Sequence, residues 1–202
     1  AALEPGDSTG APNGAWVFPF NEPLPPEPGD NQSLAVNTTD HSVVYDVAIA
    51  WVSATVGVAV RNVNEAYAFA SCTDCVTVAL AFQVVVIVGD ANVVVPQNLS
   101  AAVNYQCFEC ITASVASQLV VTIEELPGLE GQIALAELWE EIGAFAASIP
   151  TMPLADVIAR LEQYKQEIIE ILGAAPQHEP SPSGTPAASP TPTPDAAAPG
   201  AG

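Results

Sequence analysis

The chain has 202 residues and a formal net charge of -20, with only Arg61, Arg160 and Lys165 set against 23 acidic side chains. That charge repels phosphate backbones and anionic lipid, and three scattered cations make no basic patch, so nucleic acid and anionic membrane surfaces are excluded as partners. Half of the residues are apolar, enough at this length for one folded core.

Residues 1–30 are punctuated by Pro and Gly and predict an extended leader. Trp16, Phe18 and Phe20 alternate within it, so this part is expected to pack on the domain or to add to it as an edge strand. The opening Ala1-Ala2-Leu3-Glu4 reads as the start of a processed or excised extracellular domain.

Residues 31–127 are expected to form the core. Ser42 to Val52 is rich in β-branched and aromatic residues and predicts a strand, which a turn over Asn37–Ser42 joins to Leu34-Ala35-Val36. Val56 to Val60 suggests a further strand. A duplication follows. Residues 72–88 lie over 107–123 without a gap, matching Cys72 with Cys107, Cys75 with Cys110, Thr77 with Thr112, Ala81 with Ala116, Gln83 with Gln118, Val85 with Val120 and Val86 with Val121. Two copies predict a pseudo-symmetric pair rather than a solenoid. The alanine-rich first half of each copy (Ala66, Ala68, Ala70, Ala79, Ala81) predicts a helix. The second half (Phe82 to Val88; Gln118 to Ile123) predicts a buried strand. Gln83 and Gln118 then fall at the helix-to-strand junction as buried hydrogen-bonding positions. The apolar run 66–88 has the length of a membrane span, but Asp74 and Gln83 within it favour a packed core.

Residues 128–173 predict two amphipathic helices. Leu135, Leu138, Ile142, Phe145 and Ile149 recur at helical spacing, as do Leu154, Val157, Leu161, Tyr164, Ile168 and Ile171. Pro150 and Pro153 separate the two, and Gly173 with Pro176 ends the second. Residues 174–202, rich in Pro, Ala, Ser and Thr, are expected to be disordered.

The candidate site residues are Cys72, Cys75, Cys107 and Cys110. Two Cys-x-x-Cys pairs supply four soft ligands for a zinc ion, or a thiol-disulfide redox site, or a set of structural disulfides. The residues between the cysteines, Thr73-Asp74 and Phe108-Glu109, bring acids that raise a thiolate pKa, and no cation lies nearby. The cysteines are therefore read as structural disulfides, with zinc as the alternative and with intra-pair and cross-repeat bonding both open. Asp74 and Glu109, at matching positions, are expected to face each other near a twofold axis or to be solvated. Glu124, Glu125, Glu130, Glu137, Glu140 and Glu141 read as the wet face of a helix. The two histidines, His41 in a turn and His178 in the tail, make no His-Glu-x-x-His site, triad or dyad, so no catalytic residue is assigned. Asn31, Asn37 and Asn98 head Asn-x-Ser/Thr sequons.

The stretch Asn64 to Val85, with Cys72-Thr73-Asp74-Cys75, resembles a segment of actinobacterial membrane-linked proteins commonly labelled putative peptide zinc metalloproteases. Val93-Val94-Val95-Pro96-Gln97-Asn98 and Ala102-Val103-Asn104-Tyr105-Gln106-Cys107 share the resemblance, which spans about residues 33–172. It implies an exported domain and carries over no catalytic residue, because the metal-binding part is absent from this chain. The fold class expected is α+β: a β region, two pseudo-symmetric helix-strand repeats and a C-terminal helical pair. The function expected is a non-enzymatic, secreted or cell-surface structural or interaction domain without a cofactor. Its partner is another protein or a second copy of itself, and it is tethered to a membrane protein. The alternative is an extracytoplasmic thiol-disulfide or zinc-binding accessory of a membrane machine.

Overall fold

The structure, a computed structural model, describes residues 16–55, 57, 59–89 and 93–174. The chain coils through three rungs. β1 (Asn31–Asn37), β2 (Val43–Thr55) and β3 (Ala59–Val60) form the first. β4 (Val63–Ala70), β5 (Val76–Val88) and β6 (Val93–Val94) form the second, and β7 (Gln97–Asn104) and β8 (Ile111–Ile123) the third. Corresponding strands pair in parallel, giving the sheets β1-β4-β7, β2-β5-β8 and β3-β6. The gapless alignment of the duplication is the sheet register itself, from Val76 opposite Ile111 to Val88 opposite Ile123.

The mixed α and β structure and the C-terminal helical pair are as the sequence predicts, but two expectations are corrected. The first half of each copy is a strand, β4 or β7, and not a helix. Its period is two: Asn64, Ala66 and Ala68 are buried while Glu65 and Tyr67 between them are half-buried. Alanine is frequent there because two sheets close on each other over a thin layer of Ala35, Ala66, Ala68, Ala79, Ala81 and Ala116, where a longer side chain has no room. The second correction concerns symmetry. The copies are successive rungs of a three-rung stack, related by a step along it, and not a pseudo-symmetric pair.

β5 is buried along nearly its whole length. Leu80, Phe82, Val84 and Val86 face the helices, Ala79 and Ala81 face the first sheet, and Val85 and Ile87 meet Val60 of β3. The apolar run 66–88 is thus two strands and a corner, and no helix among the described residues is long and apolar enough to cross a membrane.

The helices α1 (Leu129–Ser148) and α2 (Leu154–Leu172) cover the outer face of β2-β5-β8, burying Leu138, Ile142, Ile149, Val157, Leu161, Tyr164 and Ile168 there. A 3-10 turn holding Pro150 separates them, and Gly173 ends α2 at φ 62°, a conformation open to a residue without Cβ. Arg160 ties the pair together. Its guanidinium lies 2.5 Å from Glu141, 2.9 Å from Glu167 and 3.9 Å from the centre of the Tyr164 ring. On the opposite side of the stack Trp16, Phe18 and Phe20 pack around Phe69, so this part of the leader docks on a sheet face and does not add a strand. The first 15 residues, Val56 and Val58, and the tail from 175 onward with His178 lie outside the described residues.

Candidate site at the four-cysteine corner

Each rung turns from the first sheet into the second through a short corner: residues 38–42, 71–75 and 105–110. Backbone hydrogen bonds between rungs continue through it. His41 N–H donates to Thr73 at 2.9 Å, Asp74 N–H to Phe108 at 2.8 Å and Ile111 N–H to Cys75 at 2.9 Å. His41, Asp74 and Glu109 take equivalent left-handed conformations, with φ of 56°, 49° and 54°. Such stacked turns require the same reversal at each level, which Asp and His tolerate better than most residues. The third corner holds one residue more than the second, and Gln106, at φ 50°, belongs to the longer turn.

Cys72 and Cys75 lie on the second corner at disulfide distance from each other, as do Cys107 and Cys110 on the third, with Cα separations of 6.2 and 5.9 Å. All four sulfurs fall within 4.8 Å of one another, and Cys75 Sγ lies 3.3 Å from Cys110 Sγ. Cys72, Cys75 and Cys110 are 5%, 2% and 9% exposed, while Cys107, beside the exposed Phe108, is half-buried. Thr39 and Ser42 occupy the equivalent places on the first corner. There Ser42 donates its hydroxyl to Asn37 Oδ1 at 2.8 Å, and Asn37 Oδ1 also accepts from Thr39 N–H, so hydrogen bonds close this turn where sulfur closes the others.

Four thiolates at this separation fit a tetrahedral zinc ion with all four positions filled, a structural rather than a catalytic set. The charges nearby do not assist it. Asp74 and Glu109 flank the cluster, while Arg160 and Lys165 lie on α2. Of the two expectations for Asp74 and Glu109, the solvated placement holds and the twofold approach is not found. They occupy successive levels of one column, both exposed, and Asp74 instead meets His41 Nδ1 at 3.2 Å on the outer surface. Glu124, Glu125, Glu130, Glu137, Glu140 and Glu141 are all exposed, Glu124 and Glu125 in the link before α1.

The sequence reading missed an asparagine ladder. Asn31 Nδ2 donates to Asn64 Oδ1, and Asn64 Nδ2 to Asn98 Oδ1, each at 2.8 Å. The same amides reach backbone carbonyls of the facing sheet: Asn31 to Phe82, Asn64 to Ala81 and Ser117, and Asn98 to Ala116. Recurrence of Asn at 31, 64 and 98 was the available signal. Two of these asparagines head sequons, and with Asn37, the third sequon, they point into the stack rather than towards a glycan. Gln83 and Gln118 are buried hydrogen-bonding positions as expected, but in mid-strand rather than at a helix junction, and they bond to each other. Away from this corner, burial and the neighbouring Glu65 push the Tyr67 hydroxyl up to about 12.

Fold and site together define a short parallel β-solenoid with a sulfur-lined corner and a helical lid on one face. No family model, curated protein or solved structure matches the chain.

Proposed function

We propose that the chain is a non-enzymatic structural and interaction domain, secreted or held at the cell surface, whose rungs are locked at one corner by disulfides. The observation that carries this reading is the corner itself. Its two cysteine pairs sit at disulfide distance in a column continued on the first rung by a hydrogen-bonded Ser and Thr, so the position serves to close turns. The interior amides Asn31, Asn64, Asn98, Gln83 and Gln118 are likewise engaged in rung-to-rung bonding, which leaves the outer faces for a protein partner or a second copy. Disulfides suit an oxidising compartment. The resemblance to segments of actinobacterial membrane-linked proteins adds a tether to a membrane protein. Intact-mass measurement of untreated, acid-quenched protein tests the reading: a mass four protons below the fully reduced chain is expected, and free thiols would overturn it.

A second reading, a zinc-binding or thiol-disulfide accessory domain of a membrane machine, is favoured by the four sulfurs lying within 4.8 Å. Native mass spectrometry showing one zinc ion and four alkylatable thiols would replace the first reading with this one.

A further inference from the structure

We propose that the cysteine corner is a covalent switch, in which a thiol opening Cys107–Cys110 moves all four cysteines from pairing within rungs to pairing between them. This rests on the reading above that the cysteines are oxidised. The alternative pairs are Cys72 with Cys107 and Cys75 with Cys110. Both fit the existing backbone. Ile111 N–H donates to Cys75 C=O and Phe108 N–H to Cys72 C=O, and Thr73 bridges Phe108 in parallel, so the partners stand on adjacent corners, paired as parallel strands are, at matching levels. Adjacent strands run about 4.8 Å apart, inside the range of about 4.4–6.8 Å over which disulfides join Cα atoms. Cys75 Sγ and Cys110 Sγ are already 3.3 Å apart.

Exposure sets the point of entry. Cys72 and Cys75 are covered, whereas Cys107 is half-buried on the last rung. An incoming thiolate bonds to Cys107 Sγ, and the bond to Cys110 breaks, leaving Cys110 as a thiolate. Cys110 then bonds to Cys75 Sγ, the bond from Cys75 to Cys72 breaks, and Cys72 takes the electron pair. Cys72 bonds to Cys107 Sγ and expels the original thiolate. Two disulfides stand before and after, no electrons are gained or lost, and the thiol is regenerated. The product closes loops with sequence separation 35 in place of 3, so it restricts the unfolded chain more and holds the fold against unfolding more strongly than the starting pairing. It ties the second rung to the third, which the starting pairing does not. Thr39 and Ser42 confine the exchange to these two rungs.

Cys107→Ser tests the step without added thiol. It leaves Cys110 reduced beside Cys75, and alkylation under non-reducing conditions is expected to label Cys72, with Cys75 and Cys110 joined. Label on Cys110 would overturn the switch. In the wild-type chain, brief exposure to a dilute small monothiol, acid quench and pepsin digestion are expected to join the peptides bearing residues 72–75 and 107–110 while the intact mass stays unchanged. Unlinked peptides in that digest would also overturn it. Four free thiols in the untreated protein would overturn the disulfide reading and the switch with it.

Discussion

Gln118 donates its side-chain amide to Oε1 of Gln83 at 2.7 Å, one rung below, while its own Oε1 is buried with no donor among the described residues. Gln83 passes the ladder on to Gly29 C=O at 2.9 Å. The two amides therefore do not carry equal weight. Gln83→Leu strands both the Gln118 amide and a carbonyl and is expected to cost about 2–3 kcal/mol. Gln118→Leu takes the donor from Gln83 Oε1 but also removes an already unpaired acceptor, and is expected to cost less, about 1 kcal/mol. The double variant should lose less than the sum of the two, read from urea unfolding of all four proteins.

Asn64 is the middle member of the asparagine ladder, fully buried and bonded to both neighbours and to two carbonyls. Asn64→Ala is expected to destabilise by about 3 kcal/mol, because partners on both sides are left buried and unpaired. Asn98, half-buried on the last rung, has one neighbour in the ladder and should cost clearly less. Equal losses at the two positions would show that the ladder is not what joins the sheets.

Reduction with a phosphine addresses the cysteine pairs as they stand. Each closes a short loop, for which chain entropy gives about 2 kcal/mol, so a modest fall in the urea midpoint is expected rather than unfolding. Zinc added to the reduced chain should leave the midpoint unchanged on the structural reading and raise it on the metal reading.

Hydrogen bonds from Arg160 and then Tyr164 hold the Glu141 carboxyl below its ordinary 4.5. The folded chain therefore keeps this group ionised to lower pH than the unfolded chain does. The stabilisation is complete above 4.5 and lost as pH falls through the folded value. Glu141→Gln should accordingly be less stable than wild type at neutral pH, with the gap closing in acid. Thermal melts across that pH range follow it directly.

Among the described residues β1 has no strand beyond it, and Asp46 on β2 closes part of that edge by accepting from Leu34 N–H at 2.9 Å. A charge at an open edge blocks pairing with another chain. Asp46→Ala is expected to increase self-association, seen as a higher sedimentation coefficient at raised salt, where the chain's net charge is screened.

Much of the corner was legible because its signal is local. The in-phase cysteines, Gln83 with Gln118 and the β-branched runs gave both the register of β5 on β8 and the candidate site. The first rung was hidden. Thr39 and Ser42 replace its cysteines, and the steps from Asn31 to Asn64 and from Asn64 to Asn98 differ by one residue, so no single gapless offset shows all three. Strands β4 and β7 were hidden by composition, since alanine favours helix in isolation whereas here it was selected by the closeness of two sheets.

The sequence alone determined the helical pair and the sulfur positions, since each depends on short-range periodicity or spacing. Only the tertiary structure decided that the repeats stack in parallel as three rungs, that Asn31, Asn64 and Asn98 form one ladder, and that four sulfurs share one corner. Those facts concern residues more than thirty positions apart, which become neighbours because each turn of the coil brings its successor back about 4.8 Å further along the stack.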